Sequence, residues 1–98
     1  RNLMPAVGML TLELSLDGAH SLKDKRHWVR GLKDRLRAGF NLAVAETEDQ
    51  DLLNRSVVAA VTVSSSRENA ARVLEEAERV AAGFLGPALL SATIDWLQ

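Results

Sequence analysis

Residues 18 to 38, GAHSLKDKRHWVRGLKDRLRA, hold seven of the chain's twelve Lys and Arg residues. Wound as a helix at 100° per residue, Lys23, Arg26, Arg30, Lys33 and Arg37 share an arc of about 80°. Five cations on one ridge suit the phosphates of a nucleic acid or an acidic protein surface. A ridge serving solubility alone would mix signs, yet Asp24 and Asp34 are the only acids of this helix. Like charges one turn apart repel by about 0.2–0.5 kcal/mol per pair, so the row carries a cost that a partner would relieve. Lys25 falls inside the apolar arc instead. Its stem is expected to cover the core's edge while the ammonium escapes to water.

Acid–base chemistry has only Asp17, His20 and His27 to draw on near one strand end. Some small nucleases of a related plait place an aspartate there, which makes a metal-dependent nuclease built on Asp17 the third hypothesis. A lone Asp before Gly is an ordinary turn residue, and neither histidine has a nucleophile to orient. Glu46, Glu48, Asp49 and Asp51 cluster in sequence, but without the glycine and ligand periodicity of a calcium loop they read as a solvated turn. The chain has no phosphate-cradling glycine loop, no paired histidine ligands and no cysteine. The expectation is no catalytic residue, no metal site, no cofactor and no small-molecule substrate.

The elements that must carry these residues are legible from period and caps. Leu10, Leu12, Leu14 and Leu16 alternate with Thr11, Glu13 and Ser15, a strand from Met9 to Leu16 with one buried face. Ser21 and Asp24 give an imperfect capping box for a helix whose apolar positions are Leu22, Val29, Leu32 and Leu36, ending near Ala38-Gly39. Phe40, Leu42 and Val44 mark a short second strand. A polar stretch from Glu46 to Arg55 leads to a third, Ser56 to Val63, with Val57, Ala59, Val61 and Val63 on its core face. Ser65 and Glu68 cap a second helix with apolar positions from Ala70 to Phe84, and Gly86-Pro87 breaks it. The last strand runs from Ala88 to Leu97, with Leu90, Ala92, Ile94 and Trp96 inward. Trp28, at the margin of the first helix's stripe, is expected against a strand end.

The order β-α-β-β-α-β, with one apolar stripe per helix and one apolar face per strand, predicts an α+β ferredoxin-like plait: a four-stranded antiparallel sheet of order 4-1-3-2 with two helices on one face. On its open face the central strands then present Thr11, Glu13, Val58, Ala60 and Thr62, with no aromatic on which bases could stack. Ala43, Ala45, Val58 and Ala60 form a smooth apolar patch there, the candidate homodimer face.

Ninety-eight residues with 47% hydrophobic content suit one domain spanning 1–98, with Arg1 to Pro5 set aside as a processed or disordered end. No run is long enough to cross a bilayer and no secretory signal is visible, so a soluble cytoplasmic protein is expected. A net charge of -1 leaves any attraction to polyanions local.

The stretches GAHSLKDKR, FNLAVAE and DQDLLNRSVVAAVTVSS resemble the YlxP-like or DUF503 family of small bacterial proteins over nearly the whole chain from Met9, the Ser-Leu-Lys-x-Lys-Arg run being the most specific part. The resemblance implies a ferredoxin-like fold, a tendency to self-associate, and genes lying among those for translation initiation and ribosome maturation. It carries no enzymatic activity and no catalytic residue. Leu53 departs from the family, whose members often have an aromatic there. The leading expectation is a non-catalytic, homodimeric RNA- or ribosome-associated protein using Lys23, Arg26, Arg30, Lys33 and Arg37. A protein-interaction module meeting acidic protein surfaces is the alternative.

Overall fold

The computed structural model describes residues 4–49 and 51–98. Its elements follow in the order β1 (Ala6–Ser15), α1 (Leu22–Gly39), β2 (Ala43–Glu48), β3 (Arg55–Ser64), α2 (Arg67–Leu85) and β4 (Leu89–Trp96), with a single 3-10 turn at Gly86–Ala88 before β4. The sheet is antiparallel throughout in the order β2-β3-β1-β4, the ferredoxin-like plait expected from the pattern. Leu10, Leu12 and Leu14 of β1 are buried beneath Val29, Leu32 and Leu36 of α1 and Leu74, Ala77 and Ala81 of α2. Alanines on α2 let that helix approach the sheet closely, and both helices lie on one face. Neither is long and apolar enough to cross a membrane.

Local chemistry fixes the helix ends. The Ser21 hydroxyl accepts the Asp24 N–H at 3.1 Å, one of the four donors that a helix start leaves unpaired. Asp24 returns the bond one residue earlier than a regular box, its Oδ2 accepting the His20 N–H. On α2 the cap is Ser66, not the expected Ser65: its hydroxyl accepts the Asn69 N–H at 3.1 Å. Gly86 ends α2 at φ 54, a conformation that glycine adopts without steric cost.

Four boundaries or registers depart from the sequence expectation. β1 starts at Ala6, because Ala6 to Gly8 pair with Ser64 to Thr62 of β3. Gly8 is required there, since an added Cβ would come within 2.6 Å of Leu74 Cδ1 and 2.9 Å of the Trp96 ring. β2 starts at Ala43 rather than Phe40 and runs on through Glu46 to Glu48, residues expected in the turn. Leu90 is 52% exposed, because a register shift at Glu13/Leu14 hands the inward place to Leu89, while Ala92, Ile94 and Trp96 pack on the core as expected.

The fourth departure matters most. β3 is turned over: Ser56, Val58, Ala60 and Thr62 face the helices, and Val57, Ala59, Val61 and Val63 face the open side. Val58 and Ala60 are 0% exposed, so they cannot belong to a dimer face. Both sides of this central strand are apolar, which leaves alternation ambiguous. The two polar residues are tolerated inside because each has a partner, the Ser56 hydroxyl donating to Glu46 and the Thr62 hydroxyl to the Asn41 carbonyl at 2.8 Å. Ala43 and Ala45 do lie exposed on the open face, beside Val61 and Ala59.

Candidate functional site: a cationic groove between helix and sheet edge

The row on α1 follows from the helix's two-sided anchoring. Val29, Leu32 and Leu36 point at the sheet. On the α2 side Trp28 packs on Phe84, ring centroids 5.3 Å apart, and the Arg35 guanidinium lies 3.8 Å over the same ring. Trp28 therefore meets the second helix, not a strand end, and keeps 40% exposure. With that flank occupied, the cationic arc is left on the other one, toward β2.

There α1 and the β2 side enclose a groove of about 420 Å³, lined on the helix by Arg26, Arg30, Lys33 and Arg37 with Asp34 among them, and across from it by Glu46 and Asp51. Successive cations are about one turn, about 5.4 Å, apart. Lys23 is exposed on the same flank outside the groove. Arg37 is fixed: its Nη2 donates to the Val44 carbonyl at 2.7 Å, covering part of an edge strand that would otherwise be open to pairing. Among the described residues no carboxylate forms an ion pair with Lys23, Arg26, Arg30 or Lys33. The fold brings four of the five sequence-singled cations to one concave surface, with Arg37 tied to the Val44 carbonyl and Arg26, Arg30 and Lys33 without an ion pair among the described residues.

Lys25 lies elsewhere than expected. Its ammonium does not escape: the residue is 2% exposed, 3.2 Å from Glu46 Oε2, and it donates to the carbonyls of Asp49 and Leu52. Its place in the apolar arc was the visible signal; its partners, more than twenty residues away, were not. Glu46 accordingly belongs to an internal ion pair rather than a solvated turn.

The acid–base candidates are not assembled. Asp17 is exposed and its Oδ1 accepts the Ser15 hydroxyl at 3.0 Å, while His20 contributes only its backbone N–H to Asp24. Among the described residues no hydrogen bond joins Asp17, His20 and His27, and no group of three or more His, Cys, Asp or Glu is placed to hold a metal ion. The open sheet face carries Met9, Thr11 and Glu13 of β1 beside Val61, Ala59 and Val57 of β3, again without an aromatic.

A family model described as "Protein of unknown function (DUF503)" matches residues 7–94. No curated protein matches the chain. Among solved structures, a dimeric ferredoxin-like protein of unknown function from Thermobifida fusca is similar at 17% identity over 98% of this chain and 95% of that one, with a TM-score of 0.56. A de novo designed ferredoxin-fold protein is similar at 14% identity, covering 95% and 83% of the two chains, TM-score 0.56. A dinuclear metal-binding peptidase of the M20 family from Bacillus subtilis matches at 14% identity over 96% of this chain but 26% of its own, TM-score 0.57. At such identities the likeness is one of fold.

Proposed function

The chain belongs to the DUF503 family, whose function is unknown, and from that premise we propose that it is a non-catalytic binding protein which engages the phosphate backbone of RNA through the α1 flank. The observation that carries this reading is the set of Lys23, Arg26, Arg30 and Lys33, aligned along one helix with no ion pair of their own among the described residues. A cation already neutralised gains little from a phosphate; a free one releases the phosphate's counterions. Contact runs through phosphates, because neither the groove nor the open sheet face offers an aromatic for bases to stack on.

A second copy of the chain covers the open sheet face in this reading. The face is apolar at Val61 and Val63, flanked by Ala43, Ala45 and Ala59, and a patch of this kind marks an interaction surface. A two-fold axis lying in the plane of this face would set the same patch of both copies against each other. The similar Thermobifida fusca protein is described as dimeric, which supports the reading. The helices, on the opposite face, stay free to bind.

Crosslinking in cells tests the assignment. Wild type should recover RNA or ribosomal particles, and Arg26→Glu with Arg30→Glu should not. Recovery of a single protein partner that survives nuclease treatment would place the cations against an acidic protein surface instead.

A further inference from the structure

The β2–β3 loop closes around Lys25 much as a loop closes around a bound ion. An ammonium has three donors and no acceptor, so burying it demands three oxygens. The fold supplies them from one segment: the carbonyls of Asp49 and Leu52, and Glu46 Oε2 at 3.2 Å. Glu46 in turn accepts the Ser56 hydroxyl at 2.5 Å. Asp49 has φ 62, the one positive φ of a non-glycine residue among those described, and such a conformation persists only where neighbours over-determine it. Its own carbonyl is one of the acceptors Lys25 requires.

That loop and the end of β2 supply Glu46 and Asp51, the acidic wall of the groove. The helix wall, four cations with Asp34 among them, is net positive, while the far wall presents Asp51 and Glu46, the latter paired with Lys25. A phosphate backbone can lie along Arg26, Arg30, Lys33 and Arg37, whereas a second backbone across from it would face carboxylates. A groove of about 420 Å³ is also the size of a pocket for a small ligand, which is the scale of nucleotides of one strand.

We infer that Lys25 is a positioning residue which, from inside the fold, holds the β2–β3 loop as the far wall of the cationic groove and so confines the groove to a single polynucleotide strand. The inference rests on the phosphate-binding reading of α1 and adds its selectivity. Lys25 is among the residues lining the groove, but its ammonium is engaged by Glu46 and the carbonyls of Asp49 and Leu52, so it acts through the loop.

The test is the double variant Lys25→Met with Glu46→Gln, which leaves no lone buried charge and retains all five cations of the arc. It is read against Glu46→Gln alone, because that substitution also removes a carboxylate of the wall; a preference lost as fully in the single variant overturns the inference. Binding of an unstructured RNA oligonucleotide and of a blunt RNA duplex of equal length is measured for all three proteins, together with hydrogen exchange over residues 49–54. Wild type should prefer the single strand by roughly tenfold or more. The variant should exchange faster in the loop and retain its duplex affinity, with the preference falling to about twofold or less. An unchanged preference, an equal loss for both RNAs, or a wild type that binds both alike overturns the inference and leaves phosphate binding standing. If wild type binds neither RNA, the reading of α1 itself fails, and the inference with it. Should the double variant not fold, Ser56→Ala, which removes one bond from Glu46, is read by the same ratio with a smaller shift.

Discussion

The Lys25 ammonium stands 3.2 Å from Glu46 Oε2 inside the fold, and the same carboxylate oxygen accepts the Ser56 hydroxyl. An ion pair taken out of water repays its desolvation only while both partners remain and the spare donors are bonded. Lys25→Ala should therefore cost about 3–5 kcal/mol, because Glu46 keeps its charge without its partner. Lys25→Met combined with Glu46→Gln should recover most of that loss. Urea titration of the two variants checks the difference; equal midpoints would mean that the pair contributes nothing as a pair.

Gly8 of β1 lies against Leu74 of α2 and the Trp96 ring. Gly8→Ala would press a methyl group into Leu74 and the Trp96 ring, and such overpacking costs about 1–3 kcal/mol. Gly39→Ala, with nothing near its added Cβ, should change stability by about 0.5 kcal/mol or less. Thermal unfolding of the two variants should separate clearly; similar melting temperatures would argue against close packing at Gly8.

Neighbouring faces of β3 should respond in opposite ways. Val61 lies on the open side and Val58 is 0% exposed under the helices. Wild type should sediment as a dimer and Val61→Asp as a folded monomer. Val58→Asp would place an unpaired carboxylate in the core, a cost of several kcal/mol, and should not fold. A folded Val58→Asp with an unfolded Val61→Asp would restore the opposite register.

The register of β3 is also where the sequence was least legible. Element order, the α1 cap and the helix stripes followed from single-faced patterns: the leucines of β1 alternate with Thr and Glu, and α1 has one apolar arc, so each could be oriented alone. β3 reads Ser-Val-Val-Ala-Ala-Val-Thr-Val, apolar on both sides, and its orientation depends on Glu46 and Asn41, which satisfy Ser56 and Thr62 from β2 and the segment before it. The cationic row was visible because it is periodic along one helix. The groove it lines was not, since its other wall comes from β2 and the following loop. Lys25 stood out by angle alone, while the carbonyls that bury it belong to a loop whose path no local pattern encodes.

The central claim is that the unpaired cations of α1 bind RNA phosphates. Its most direct test is the salt dependence of affinity for an RNA with single-stranded segments, measured from low to physiological salt for wild type and for Arg26→Glu with Arg30→Glu. With four free cations engaged, log K should fall against log salt with a slope of about -3. The double reversal should reduce that slope by half or more, lower affinity at every salt concentration, and leave the urea midpoint unchanged. A slope near zero, or a reversal variant that binds as wild type does, would contradict the account.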